Sequence, residues 1–313
     1  MSVNNQASPA NEALVAKPRS ALADFFVRLV REKPLGTVGG VIVLILLVVG
    51  ILANFIAPYG MNEIHLADRL QPSSARYLLG TDSLGRDVLS RIIYGARISM
   101  IVSLAGSALA TVVSTAIGLV SGFFGGKTDL VIQRFVDAWV AFPALIILLT
   151  VMAIIGGGLT QVTLVLGIVT GIGGSRLIRS AVMPAKENVY VEAARAIGAR
   201  SIRILGRHLL PNISPLLIVY FTVGMAGMIV TEAALSFLGF GVPPPAPSWG
   251  GMLSQEGRTY MLLAPWLALW PGLALSIAVY GINIFGDALR DLLDPRLKGG
   301  LGRYGTFKKK VAP

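Results

Sequence analysis

Hydrophobic residues fall in long blocks separated by short polar stretches. The blocks lie at 35–57, 98–124, about 136–155, 160–174, 215–237 and 265–285. A bilayer core about 30 Å thick takes about 20 residues of helix. The pattern therefore predicts six transmembrane helices and an all-α polytopic membrane protein. Two blocks carry glycines four apart, Gly118 with Gly122 and Gly167 with Gly171. That spacing puts both glycines on one helix face, where backbones pack closely in lipid.

The polar connections have patterns of their own. Residues 1–34 form a tail whose Ser/Asn/Ala-rich start predicts disorder. Within it, 21–30 has the spacing of a short surface helix with Phe25 and Phe26 toward lipid. The block at 35–57 is longer than the roughly 7–15-residue core of a cleaved signal peptide, so it reads as a retained anchor. In the connection 58–97, Val88, Leu89, Ile92 and Ile93 share one helical face. They predict an amphipathic helix on the outer surface that feeds the second span. Asp82 and Asp87 match no calcium-loop spacing and fit capping or arginine pairing better than a metal site.

Residues 187–211 are a basic island between two apolar blocks. Val189 to Ile197 are good helix formers with small residues at Ala193, Ala194 and Ala196. Gly198 interrupts them, as a helix stop does. Ser201 is placed to cap a second helix over 202–210, which Pro211 closes. The expected unit is helix, glycine turn, helix, with a knob of small residues suited to a cleft on another protein.

Composition sharpens the class. Of 313 residues, 54% are hydrophobic and only 14% charged, at a mean hydropathy of +0.71. Soluble domains carry about a quarter charged residues, so this is an integral membrane protein. The absence of cysteine removes disulfides, thiolate metal sites and cysteine nucleophiles. The formal net charge of +11 is spread unevenly. With the N-terminus inside, 21 Lys/Arg lie on inner segments and 6 on outer ones. This predicts cytoplasmic termini and a cytoplasmic island. A nucleic-acid role is set aside because the basic residues flank apolar runs.

Enzymatic chemistry finds little support. Gly126-Lys127-Thr128 ends like a phosphate loop, but position 121 is Ser121 rather than glycine and a membrane span precedes it. The only histidines, His65 and His208, lie in connections, and Glu232 is the one acid inside a block. A serine or paired-aspartate membrane protease lacks its residues, and a single buried acid argues against a proton-coupled carrier without excluding one. Glu232 lies 17 residues beyond Pro215, roughly 25 Å of helix from the inner face. Two readings of it stay open: a polar group lining the outer mouth of a pathway, or an interfacial acid paired with a neighbouring subunit or water.

Two strings resemble a known family. Glu192-Ala193-Ala194, then Ile197-Gly198, then Leu210-Pro211 resemble the EAA loop of ABC importer permeases. The family carries an apolar residue, usually Ile, where this chain has His208. Gly80-Thr81-Asp82, Gly85-Arg86-Asp87 and the following Val-x-Ser-Arg closely resemble a string in the C-type permease of dipeptide and oligopeptide importers.

The resemblance implies a type I importer permease fold with a five-helix core at 98–285. The span at 35–57 is an addition, and 286–313 is a basic tail. It implies a non-enzymatic transport subunit of the bacterial inner membrane. A second homologous permease, two ATP-binding subunits and a substrate-binding protein complete the transporter. ATP and magnesium bind the partner ATPases, so no cofactor or metal is expected in this chain. Peptide, nickel, glutathione or an opine remain as cargo. From other classes, a homodimeric secondary carrier and a membrane assembly factor without transport remain as alternatives. The resemblance also makes the outer loop at 239–264, and the aromatic cluster of Trp249, Tyr260, Trp266 and Trp270 near the outer interface, a contact for the binding protein, beside the simpler reading as a membrane anchor.

Overall fold

The computed structural model describes residues 21–293, and all regular elements among them are helical. The expected disorder at the start of the chain, and the end of the basic tail, lie outside the described residues. The helices run α1 (Ala21–Glu32), α2 (Pro34–Ile51), α3 (Ala53–Ile56), α4 (Val88–Phe124), α5 (Gly126–Val140), α6 (Ala144–Ile155), α7 (Leu159–Ala185), α8 (Val189–Ala196), α9 (Ser201–Ile204), α10 (Leu210–Phe237), α11 (Trp249–Met252), α12 (Arg258–Tyr260) and α13 (Trp266–Leu293). Five are long and apolar enough to cross a bilayer, or six crossings result if the bent pair α5–α6 counts as one.

The centre of the bundle is the pairing of α4 with α7, which the spaced glycines permit. A Cβ at Gly118 would lie 2.7 Å from the Ile178 Cβ, and one at Gly171 would lie 2.7 Å from the Val113 Cβ. Each helix presents a smooth stripe to the other, as close packing in lipid requires. On the far side, α2 packs on α13 in the same way. Gly39 lies against the Gly281 carbonyl, and Val43, Ala278 and Ile282 close the seam.

Several expected boundaries move: the first span's main helix stops at Ile51, and α13 continues to Leu293, past the expected end at 285. The third crossing, expected as a straight span at 136–155, is broken by an 83° bend between α5 and α6. Pro143 caps α6 at the break, and a proline disfavours helical backbone at the residue before it. The fourth, expected to stop at 174, continues to Ala185. Its polar residues find partners on α5: Arg179 Nε donates to Asp129 at 2.6 Å, and Arg176 pairs with Asp137.

The last shift concerns α10. Pro211 does not close a separate helix. The chain runs from α9 through a π-type turn, Leu205–Leu209, directly into α10. At the end of that turn the Leu210 amide donates to the Leu205 carbonyl, five residues back. The ladder shifts by one residue just before Pro211, which has no amide hydrogen to offer it.

At the N-terminus, α1 lies against the end of α13 through Leu29, Ala288 and Leu292, with Phe25 packed alongside and Phe26 exposed. Of the two rings expected toward lipid, Phe25 therefore packs within the chain and Phe26 is exposed.

Candidate functional site

α4 spans 37 residues, about 55 Å of helix, and so separates two ends of the molecule. Its C-terminal Phe123 meets the basic island, and its N-terminal Val88 emerges from the Gly80–Asp87 string.

At the island end, α8 stops at Ala196 and the chain turns at Gly198 with φ +78°. Only glycine takes that conformation cheaply, and nothing lies within 4 Å of a Cβ built there. The turn is therefore held by its backbone and not by packing. Val191 and Ala194 point inward onto a cluster with Phe123, Ile178, Ile204 and Leu209. Ala194, expected in a partner's cleft, is instead 4% exposed and part of this chain's own core. Ser201 caps nothing with its side chain, and Arg200 occupies the cap position of α9.

Glu192, Ala193, Gly198 and Pro211 are exposed, and Leu210 is half-buried. Glu192 forms no ion pair among the described residues, and neither do Arg195, Arg200, Arg203 and Arg207. Three large apolar side chains face out: Val189, Ile197 at 85% exposure and Ile202 at 75%.

Several contacts here escaped the sequence reading. Arg195 stacks over the Phe123 ring, 5.4 Å from its centroid, tying α8 to the end of α4. The rings of Tyr190 and His208 lie 6.3 Å apart, and Asn212 Nδ2 donates to the Tyr190 hydroxyl. The available signal was the pair Ile197 and Ile202, apolar residues with no core to fill in a polar stretch.

At the other end, the Gly80–Asp87 string ties a knot. Asp87 caps α4 by accepting from the Ser90 amide at 2.8 Å. Asp82 accepts from the Leu84 and Arg86 amides at 2.9 Å and from Arg86 Nε at 2.6 Å. Arg91 lies 3.6 Å from the same carboxylate, and Arg86 reaches Glu256 on the far connection at 3.6 Å. Both acids thus do what their spacing suggested, capping and arginine pairing. Thr81 is bonded to Asp68 and Gln71, and its carbonyl accepts from the Trp266 indole at 3.2 Å. A Cβ on Gly85 would fall 1.9 Å from the His65 carbonyl oxygen, and one on Gly80 would fall 2.7 Å from that of Gln71. Burial and a bond to Asp68 push the Tyr77 phenol up to about 12.

This corrects two expectations. Residues 88–97 are no separate surface helix. Val88, Ile93 and Ala96 are buried, and the segment is the first part of α4 itself. Trp249, expected at the membrane interface, is 1% exposed and donates to the Ile92 carbonyl at 3.1 Å.

Glu232 is likewise displaced from its expected setting. It lies near the knot end of α10 and is fully buried within the chain, rather than exposed at a mouth. One carboxylate oxygen accepts from Ser236 Oγ at 2.7 Å, and the other has no hydrogen-bond partner among the described residues. Ser236 Oγ in turn accepts from the Val242 amide at 3.2 Å. The segment after α10 folds back over it so tightly that a Cβ on Gly250 would lie 2.3 Å from the Ala233 carbonyl. No group of three or more metal-ligating side chains occurs among the described residues.

Comparison with known proteins places this architecture. The family described as binding-protein-dependent transport system inner membrane component matches residues 114–299. The N-terminal TM domain of oligopeptide transport permease C matches residues 20–72. A glutathione transport system permease protein of Pectobacterium atrosepticum is 38% identical over 90% of this chain and 93% of its own length. A di/tripeptide transport system permease protein of Pseudomonas aeruginosa is 38% identical over 93% and 97%. A dipeptide transport system permease protein of Alkalihalophilus pseudofirmus is 37% identical over 86% and 88%. An inward-facing structure of the MetNI methionine ABC transporter shares the fold, with a TM-score of 0.50 at 19% identity over 65% of this chain and 96% of that one. The chain belongs to the family of binding-protein-dependent inner membrane transport components, as a multi-pass permease of the peptide and glutathione type.

Proposed function

We propose that this chain forms half of the translocation pathway of an ATP-driven importer of short peptides, and that the 187–211 island is where partner ATPases dock. The reading rests above all on the outward-facing Val189, Ile197 and Ile202, set on a helix–turn–helix whose packing is otherwise complete. Apolar side chains exposed in a basic loop lower their free energy when a partner covers them. The named relatives carry dipeptides, di/tripeptides or glutathione, itself a tripeptide, which supports a short peptide as cargo.

One subunit encloses no pathway, so a second permease completes it. A substrate-binding protein delivers cargo at the knot end. ATP and magnesium act on the partner ATPases. Closure of those ATPases moves the island, and the bundle alternates between outward- and inward-open states. Arg195 on Phe123 gives that motion a direct hold on α4.

The test is Gly198→Asp in the reconstituted complex. Gly198 has open space around it, so the variant inserts and folds, while a charge in the contact disfavours docking. ATPase pull-down and cargo-stimulated hydrolysis should both fall, and normal values for both would remove the docking role. Ala194→Asp is not an equivalent test, because that charge would enter the permease's own core. Orientation is tested by single cysteines in this cysteine-free chain. Ser73→Cys should react with an impermeant reagent in intact cells and Ser201→Cys should not; both positions are exposed.

A further inference from the structure

The island also carries a depression of about 330 Å³, lined by small residues (Ala194, Gly198 and Ala199 among them), the paired rings of Tyr190 and His208, and Arg203. Open hollows near the lower end of the pocket size range hold a protruding side chain better than an enclosed ligand. Its wall is fixed in advance. The Tyr190 hydroxyl is held by Asn212 and by the Ala185 carbonyl, and His208 lies against the Tyr190 ring.

The charge in it is one-sided. Arg203 is its only lining residue with a permanent charge, no acid lines it, and Arg203 has no ion-pair partner among the described residues. Residues 189–211 hold four arginines and one glutamate, and that glutamate, Glu192, lies outside the lining. Ile197 lines the depression and Ile202 precedes Arg203, both strongly exposed. Apolar side chains around a charged contact exclude water from it.

We infer that this depression receives an aspartate or glutamate side chain of the docked ATPase, bound by Arg203 and His208. The inference rests on the docking role proposed above and names the partner's chemistry there. A guanidinium donates charge-assisted hydrogen bonds to a carboxylate, and the imidazole supplies a further donor. Apolar residues on the ATPase beside that acid cover Ile197 and Ile202. Charge complementarity of this kind chooses the cognate ATPase more than it raises affinity overall.

The experiment uses the complete transporter. Arg203→Lys retains the charge and adds an amine that a carbodiimide joins only to a carboxylate in direct contact. Mass spectrometry should find a crosslink to one Asp or Glu of the ATPase. Arg203→Glu should weaken ATPase binding at least tenfold and flatten its salt dependence, and reversing the crosslinked acid to Lys should restore binding. A crosslink confined to this chain, or no crosslink together with wild-type binding by Arg203→Glu, would overturn the inference. Gly198→Asp separates the two readings. If it abolishes binding while Arg203→Glu does not, the acidic contact falls and docking stands; if neither variant matters, docking falls as well.

Discussion

The two ends of α4 carry the two strings that resemble the same family, and they are built in opposite ways. At the knot, every feature of the string is consumed within the chain. Asp87 caps, Asp82 binds arginines, and Gly80 and Gly85 leave no room for a Cβ. At the island the same residue types are left open. Gly198 has empty space around it, four arginines form no ion pair among the described residues, and Ile197 and Ile202 face outward. Motif strength therefore does not indicate function by itself. The knot residues stabilise the connections at their end of α4, whereas the island leaves apolar and basic side chains uncovered, as the proposed docking requires.

Variants that separate stability from assembly sharpen this contrast. Gly85→Ala should have the largest effect. Its Cβ meets a backbone carbonyl and its φ is +74°, so the variant should fail to accumulate in the membrane. Gly198→Ala, with no contact to relieve, should lose only about 1–2 kcal/mol. Quantitative membrane immunoblots and thermal unfolding in detergent would compare them, and equal melting of the two would break the contrast. Next is Asp82→Ala, which leaves buried Arg86 and Arg91 facing one another. Removing one partner of a buried pair costs about 3–5 kcal/mol, and the melting temperature should drop accordingly. Arg203→Ala at the island should stay within about 0.5 kcal/mol of wild type.

Glu232→Ala should cost about 1–3 kcal/mol, because the Ser236 hydroxyl loses its acceptor inside the fold. Glu232→Gln keeps an acceptor and should unfold near the wild-type temperature. If the alanine variant melted normally yet transported nothing, Glu232 would belong to the pathway after all. The smallest stability effect should come from Ile197→Ser, an exposed substitution within about 0.5 kcal/mol for the solubilised subunit. Its ATPase affinity should nevertheless fall about tenfold in pull-down titrations, and unchanged affinity would show that this face is not covered.

Much of the fold was legible. Blocks of about 20 apolar residues place helices in a bilayer because the backbone has no other partner there. Spaced glycines foretold helix faces able to pack closely, though not that α4 and α7 would pack on each other, and Gly198 foretold the turn of the island. The acidic pair of the knot was read as caps and ion pairs because neither residue had metal-ligand spacing. What misled was local pattern without its surroundings. The apolar face of 88–93 is the same whether it meets lipid or protein. Trp249 reads as an interface anchor until α4 is laid over it. Pro211 reads as a stop until a π-type turn absorbs it.

The sequence alone determined the membrane class, the number and rough position of the apolar helices, and the polar character of the island, because these depend on composition and periodicity along one segment. Tertiary structure alone decided which polar groups are spent and which are open. Glu232 and Ala194 turned inward, and Ile197, Ile202 and Arg203 turned outward. The physical reason is that burial is set by what packs against a residue from distant parts of the chain, and no local pattern encodes that neighbour.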